Sequence, residues 1–158
     1  MFRTVLLLLA LTTTSLAQAQ VNPAVADYTN DIEAARTLAQ TERKVLIMSQ
    51  MVMTADEAEA FWPLYDEYTA ARKKVGNLRV KVITDYAARF ESMDEATARQ
   101  LLDDALRYEQ QMLKLKQKYV KKFRKILPDV KVTRYFQLEN KLDALVDFDM
   151  AGEIPLIE

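Results

Sequence analysis

The sequence predicts an all-α fold: an elongated antiparallel helical hairpin or bundle of about four helices, with long second and third helices and a kink near Pro63. Three observations predict it. Only two glycines, Gly76 and Gly152, and four prolines occur in 158 residues, too few for the turns of an all-β chain or the phosphate loops of a nucleotide-binding fold. Half of the residues are hydrophobic and 28% are charged, a mixture that suits amphipathic helices. Apolar residues also recur at steps of four and three through two long stretches.

The first element is not part of the fold. Residues 1–19 have a basic start at Arg3, a short apolar run from Val5 to Leu11 and then Ala17-Gln18-Ala19, the three-part pattern of a cleaved signal peptide. That run is far shorter than the ~20 residues needed to span a membrane, and no later segment is apolar enough to do so. The expectation is an exported periplasmic protein, soluble after cleavage. Residues 20–28 form a mobile lead-in, and 29–158 form one helical domain. A first helix is predicted from about Thr29 to Met51, on the spacing of Ile32, Ala35, Leu38, Val45 and Met48.

The second helix has a sharp start. Thr54 sits at an N-cap position with Glu57 three residues later, a capping box. The helix then runs to about Phe90 on the stripe Leu64, Tyr68, Ala71, Val75, Leu78 and Val82, with Arg72 and Arg79 beside it. Pro63 falls nine residues past the cap, too deep for a first-turn proline, so a bend is expected there. Around it, Phe61, Leu64, Tyr65 and Tyr68 are expected to turn inward as a structural corner, with Trp62 reaching the first or fourth helix.

A second start follows at Ser92-Met93-Asp94-Glu95, where Ser92 or Asp94 could cap. The third helix is predicted from about Glu95 to Leu127, where Pro128 ends it. Leu102, Leu106, Leu113 and Val120 widen its apolar stripe beyond what one neighbour would cover. Asp129 is the expected cap of a fourth helix, about Val130 to Met150, and Gly152 its expected stop. The tail GEIPLIE is expected to pack across a neighbouring groove. Long helices in a short chain have little core for their surface, which predicts a homodimer.

Composition removes most chemistries. Cysteine and histidine are both absent, which excludes disulfides, Ser-His-Asp and Cys-His catalysis, and zinc sites built on thiolate or imidazole. No cofactor, metal or catalytic residue is expected, and the protein is read as not an enzyme. Asp103-Asp104, Asp143, Asp147 and Asp149 could pair as acid and base, but Asp143 and Asp147 read more simply as a solvated helix face. The net charge is −1 from 22 basic and 23 acidic residues, and setting Arg3 aside moves it to about −2. Bulk charge therefore does not point to nucleic acid.

One stretch is strongly basic. Residues 114–125, KLKQKYVKKFRK, contain Lys114, Lys118, Lys121, Lys122 and Lys125 and no acid. Tyr119 and Phe123 within it belong to the apolar stripe, and lysines near a helix C-terminus favour the helix dipole. The competing reading is a basic patch for acidic client proteins or anionic lipid. The opposite bias of residues 141–158 could meet these lysines across a dimer interface.

Met53-Thr54-Ala55-Asp56-Glu57 and, more loosely, Met93-Asp94-Glu95-Ala96-Thr97 resemble the LTxxQ motifs of the Spy/CpxP family of periplasmic proteins. Met stands for Leu and Glu for Gln in the first. The resemblance covers roughly residues 45–128. It implies a cradle-shaped antiparallel dimer that binds unfolded or partly folded proteins without ATP, an envelope-stress role, and Arg72, Arg79, Lys114, Lys118, Lys121, Lys122 and Lys125 as candidate client-binding cations. Some members bind metal through histidine, which this chain lacks. FWPLYDEY, QLENKLD and IPLIE also resemble a group of proteobacterial exported helical proteins, which implies no activity. The alternative to a chaperone is an adaptor that binds one specific envelope partner.

Overall fold

The computed structural model describes residue 37 and residues 39–157. The expected signal peptide, lead-in and first turns of the first helix lie outside these residues. The chain divides into two compact units, Met1–Thr41 and Glu42–Glu158. In the first, the described residues are helical, and the Thr41 hydroxyl donates to the Thr37 carbonyl at 2.9 Å. Everything below concerns the second unit. Its helices are α1 (39–50, of which 42–50 belong to it), α2 (Ala55–Arg89), α3 (Glu95–Phe123) and α4 (Asp129–Glu153), with one 3-10 turn at Phe90–Ser92. The fold is an all-α helical bundle, and no strand occurs among the described residues.

Capping chemistry sets two of the helix starts. Thr54 Oγ1 accepts from the Glu57 N–H at 3.2 Å, and Glu57 Oε2 accepts from the Thr54 N–H at 2.8 Å, a complete capping box. At α3 the choice between Ser92 and Asp94 falls to Asp94, whose Oδ1 accepts from the Thr97 N–H at 2.7 Å. Ser92 is instead consumed by the 3-10 turn that closes α2.

Three expected boundaries shift, each for a local reason. α3 ends at Phe123 rather than Leu127, because the chain tightens: the Lys125 and Ile126 N–H groups bond the carbonyls three residues back. That turn carries Leu127 into the core, 5% exposed, before Pro128. Asp129 is not the cap of α4. Pro128 holds that position, its carbonyl accepting from Lys131 and Val132, while Asp129 is the first helical residue and pairs with Arg124 at 2.8 Å. Gly152 is not the stop either. It has no positive φ, α4 runs through it to Glu153, and Ile154 turns extended ahead of Pro155.

Pairings give the directions of the helices. Phe61, Tyr68 and Arg79 of α2 meet Phe123, Tyr119 and Tyr108 of α3, so α3 runs antiparallel to α2. Phe61, Arg72 and Arg79 of α2 meet Tyr135, Glu139 and Asp147 of α4, so α4 runs parallel to α2. On α1, Lys44 meets Asp66, and Arg134 of α4 reaches the Gln50 carbonyl.

The core gathers where all four helices overlap. Phe61, Tyr65, Tyr68, Phe123 and Tyr135 are fully buried and touch edge to face or tilted, with centroids 4.8–6.4 Å apart for most pairs. Such pairs add about 0.5–1.5 kcal/mol each beyond the area they bury. Ile47 and Met51 of α1 and Val132 of α4 complete the cluster. Trp62 points outward from it, half-buried and packed on Phe61 and Tyr65, with the Lys44 ammonium 5.3 Å from its ring. α2 continues as α-helix through Pro63. Past Arg72 the picture changes: among the described residues from there to Lys118, Leu101 is the one buried apolar side chain.

Candidate functional site

The boundary between the packed core and the open half is charged. Glu139 lies on the apolar stripe of α4, four residues past Tyr135, and is fully buried. Its Oε2 accepts from Arg43 Nη1 at 2.7 Å and from Arg72 Nη1 at 2.9 Å. Asp143, one turn further, accepts at Oδ1 from Arg43 Nη2 at 2.9 Å and from Arg72 Nη2. Both arginines therefore fork across the same pair of carboxylates, the planar geometry that suits guanidinium better than ammonium. Lys116 of α3 approaches Asp143 Oδ2 at 3.4 Å and Asn140 Oδ1 at 3.1 Å. One cluster thus ties α1, α2, α3 and α4 together.

Burial and charge pull on these groups in opposite directions. Burial disfavours the Asp143 carboxylate, yet Arg72, Arg43 and Lys116 overcome it and hold the group below the usual carboxylate range. Burial pushes the Tyr65 phenol up to about 12, helped by the Glu139 charge, and raises Tyr68 and Tyr135 for the same two reasons. The hydroxyls of Tyr65, Tyr68 and Tyr135 and the second oxygen of Glu139 are buried without hydrogen-bond geometry to a partner. They form a polar lining on the core side of the ion cluster.

Beyond the cluster, a cavity of about 640 Å³ opens between α2, α3 and α4. Arg43, Arg72, Arg79 and Lys116 line its inner end, and Val82, Ile83, Met112 and Val146 its walls. A second cavity of about 720 Å³ shares Ile83 and Ile154 with it and continues past Tyr86 and Phe90. The Tyr86 hydroxyl donates to the Pro155 carbonyl at 2.7 Å, which anchors the C-terminal tail beside this second cavity. Leu156 and Ile157 themselves stay exposed.

The residues expected to bind clients fall into two groups. Arg72 and Arg79 are not free cations. Arg72 is committed to Glu139 and Asp143, and Arg79 Nη1 donates to Asp147 at 2.5 Å while lying over the Tyr108 ring. The reading as a solvated face is corrected for Asp143, which pairs with Arg43, Arg72 and Lys116, whereas Asp147 is exposed as read and pairs with Arg79. The basic run of α3 is different. Lys122 pairs with Glu67 at 2.6 Å and lies over Tyr119, and Lys118 sits 5.8 Å from that ring. Lys114, Lys121 and Lys125 are exposed and have no ion-pair partner among the described residues.

A second surface accompanies them. Leu102, Leu106 and Leu113 are 61%, 54% and 56% exposed. At 100° per residue these three share one face of α3, adjacent to the core seam, and Lys114 and Lys121 follow next around the helix, with Lys125 in the turn beyond it. Leu145, Val146 and Phe148 of α4 are exposed as well. Glu109 falls between Leu106 and Leu113 on the α3 face and is exposed as well.

Sequence reasoning missed Arg43 and Glu139, and read Lys116 only as one cation of the basic run. A signal for Glu139 existed: it is an acid on a stripe made by Tyr135, Leu138 and Leu142. Arg43 carried none, since nothing local distinguishes it from Lys44.

No group of three or more acidic, His or Cys residues able to hold a metal occurs among the described residues, and none of their helices is long and apolar enough to cross a membrane. No family model, curated protein or solved structure matches the chain.

Proposed function

We propose that the protein is an ATP-independent, chaperone-like or envelope-stress binding protein of Spy/CpxP type, exported to the periplasm and acting as a homodimer. It holds unfolded or partly folded proteins and performs no catalysis. The observation that supports this reading is the exposed surface of α3, with Leu102, Leu106 and Leu113 along one face, Lys114 and Lys121 on the next, and Lys125 in the turn that follows. Clients expose apolar segments that such leucines would cover, and unpaired lysines speed encounter with acidic chains. Arg72 and Arg79 leave the client-binding set, because their charges are already matched. Nucleic acid has no place in it, as the whole chain is slightly acidic.

The test is suppression of aggregation of a chemically denatured client by the purified protein. Protection at stoichiometric amounts, lost when Leu102 and Leu106 are both replaced by Asp, is the expected result. No protection by the parent protein would sink the chaperone reading.

The anchored tail favours a second reading, an adaptor with one defined partner, because the Tyr86–Pro155 bond presents Ile154, Leu156 and Ile157 in a set position. Capture of one dominant protein from an envelope extract, lost on truncation after Glu153, would favour it.

A further inference from the structure

The outer face of α4 carries a pattern that is complementary to itself. Leu145 and Phe148 are 64% and 79% exposed there. Half-buried Leu142 borders them. Lys141 and Asp149 are exposed on either side, with no ion pair among the described residues, and Asp149 also stands at the rim of the second cavity. Each charge is four residues from Leu145, so each lies about 6 Å along the helix and about 40° around it, in opposite directions. The acids of the inward face are already paired: Glu139 and Asp143 with Arg43 and Arg72, Asp143 with Lys116, and Asp147 with Arg79.

A twofold axis through Leu145, perpendicular to α4, sets every residue before Leu145 against the residue equally far beyond it in a second copy. The same patch then serves on both subunits. Lys141 meets Asp149 of the partner subunit, and symmetry repeats the pair. Phe148 meets Leu142 of the partner subunit, also twice, and Leu145 meets its own copy. Further out, Leu138 falls on a glycine, Gly152, and Glu153 falls on an uncharged Gln137. No like charges face each other on the contact side. A parallel arrangement would instead oppose Lys141 to Lys141 and Asp149 to Asp149. An unrelated partner gains nothing from charges placed symmetrically about one leucine, whereas a second copy pairs them all.

We infer that a second copy of this chain docks antiparallel on the outer face of α4 about Leu145, with two Lys141–Asp149 ion pairs flanking an apolar centre of Leu142, Leu145 and Phe148. This interface presupposes the homodimer of the proposed function and names the surface that builds it. It uses no residue of α3, so the leucines and lysines offered to clients stay outside it. α4 also lies outside residues 45–128, the stretch that the family resemblance covers.

Sedimentation equilibrium of the purified protein should show a dimer. Lys141→Glu and Asp149→Lys should each weaken dimerisation about tenfold, since each sets like charges together at two places. The double variant, with the charges exchanged, should restore it. The chain has no cysteine, so a single introduced thiol reports the axis. Leu145→Cys should join two chains on mild oxidation, because a disulfide needs its two Cα atoms within about 7 Å. Val130→Cys, also exposed but on the first turn of α4, should leave them separate. Should a charge variant lose helicity by circular dichroism, the two cysteine variants decide. A dimer indifferent to Lys141→Glu, a charge exchange that fails to restore it, or equal cross-linking at both positions overturns the α4 interface and leaves the homodimer standing. A monomeric parent protein overturns both, and loss of client protection in a monomeric Leu145→Asp variant would then assign the face to clients.

Discussion

Arg43 and Glu139 are ninety-six positions apart and meet at 2.7 Å, with the Glu139 side chain 1% exposed. That contact, with the fork to Asp143, fastens α1 to α4 at the edge of the core. Removing Arg43 still leaves both carboxylates paired with Arg72, so the cost is that of the hydrogen bonds lost.

Arg43→Met should therefore destabilise the protein by about 2 kcal/mol. The double variant Arg43→Met, Glu139→Leu should recover much of that loss, since Arg72 then keeps Asp143 alone. Urea unfolding of the two single variants and the double variant measures the coupling. Strict additivity would show that the pair does not act as one unit.

The same cluster predicts an acid-sensitive stability. Asp143 has a folded pKa held below its ordinary 3.8. A depressed carboxylate contributes stability that is fully present above the unfolded value and is lost as pH falls through the folded one. The protein should thus lose stability from about pH 5 downward, and Asp143→Asn should flatten that slope while lowering stability at pH 7. An unchanged slope in the Asn variant would remove Asp143 from the account.

Tyrosine burial predicts the opposite limb. Tyr65 is raised to about 12 by burial and by the Glu139 charge, so its contribution is complete below the ordinary value of about 10 and disappears as pH rises through the folded one. Tyrosinate absorbance should lag behind that of exposed tyrosine and then appear together with loss of helicity. A fast, complete titration near pH 10 in the folded protein would contradict the burial.

Local signals give three further substitutions. Thr54→Ala removes the α2 cap and should cost about 1 kcal/mol. Gly76 lies mid-helix with open space where a Cβ would project, so Gly76→Ala should raise stability by up to about 1 kcal/mol. Pro63 lacks the N–H that would bond the Glu59 carbonyl, so a bend is expected there, and Trp62 beside it lies against Lys44. Pro63→Ala should then shift Trp62 emission and change stability, and no change in either would dismiss the bend.

The helices were largely legible in the sequence because their signals are local. A capping box at Thr54–Glu57, an Asp94 cap and a four-three stripe each act within a few residues. Where reading by residue type failed, a neighbour in sequence had displaced the expected one. Pro128 took the cap from Asp129, and Pro155 rather than Gly152 ended α4. The corner at Phe61, Tyr65 and Tyr68 was legible from register alone, since an inward helical face is set by 100° steps.

By itself the sequence determined an all-α chain, the capped starts of α2 and α3 and the inward corner of α2, because hydrogen bonds and periodicity within one helix decide these; on α1 the predicted Val45 and Met48 stay exposed, and Ile47 and Met51 are buried instead. Tertiary structure alone decided which charges are spent and which remain. Arg72 and Arg79 looked like free cations beside a stripe until α4 brought Glu139, Asp143 and Asp147 alongside them. Periodicity states which face turns inward but not which residue on another helix will meet it. The identity of the paired cations, Lys116 among them, and of the exposed leucines of α3 follows only from that pairing.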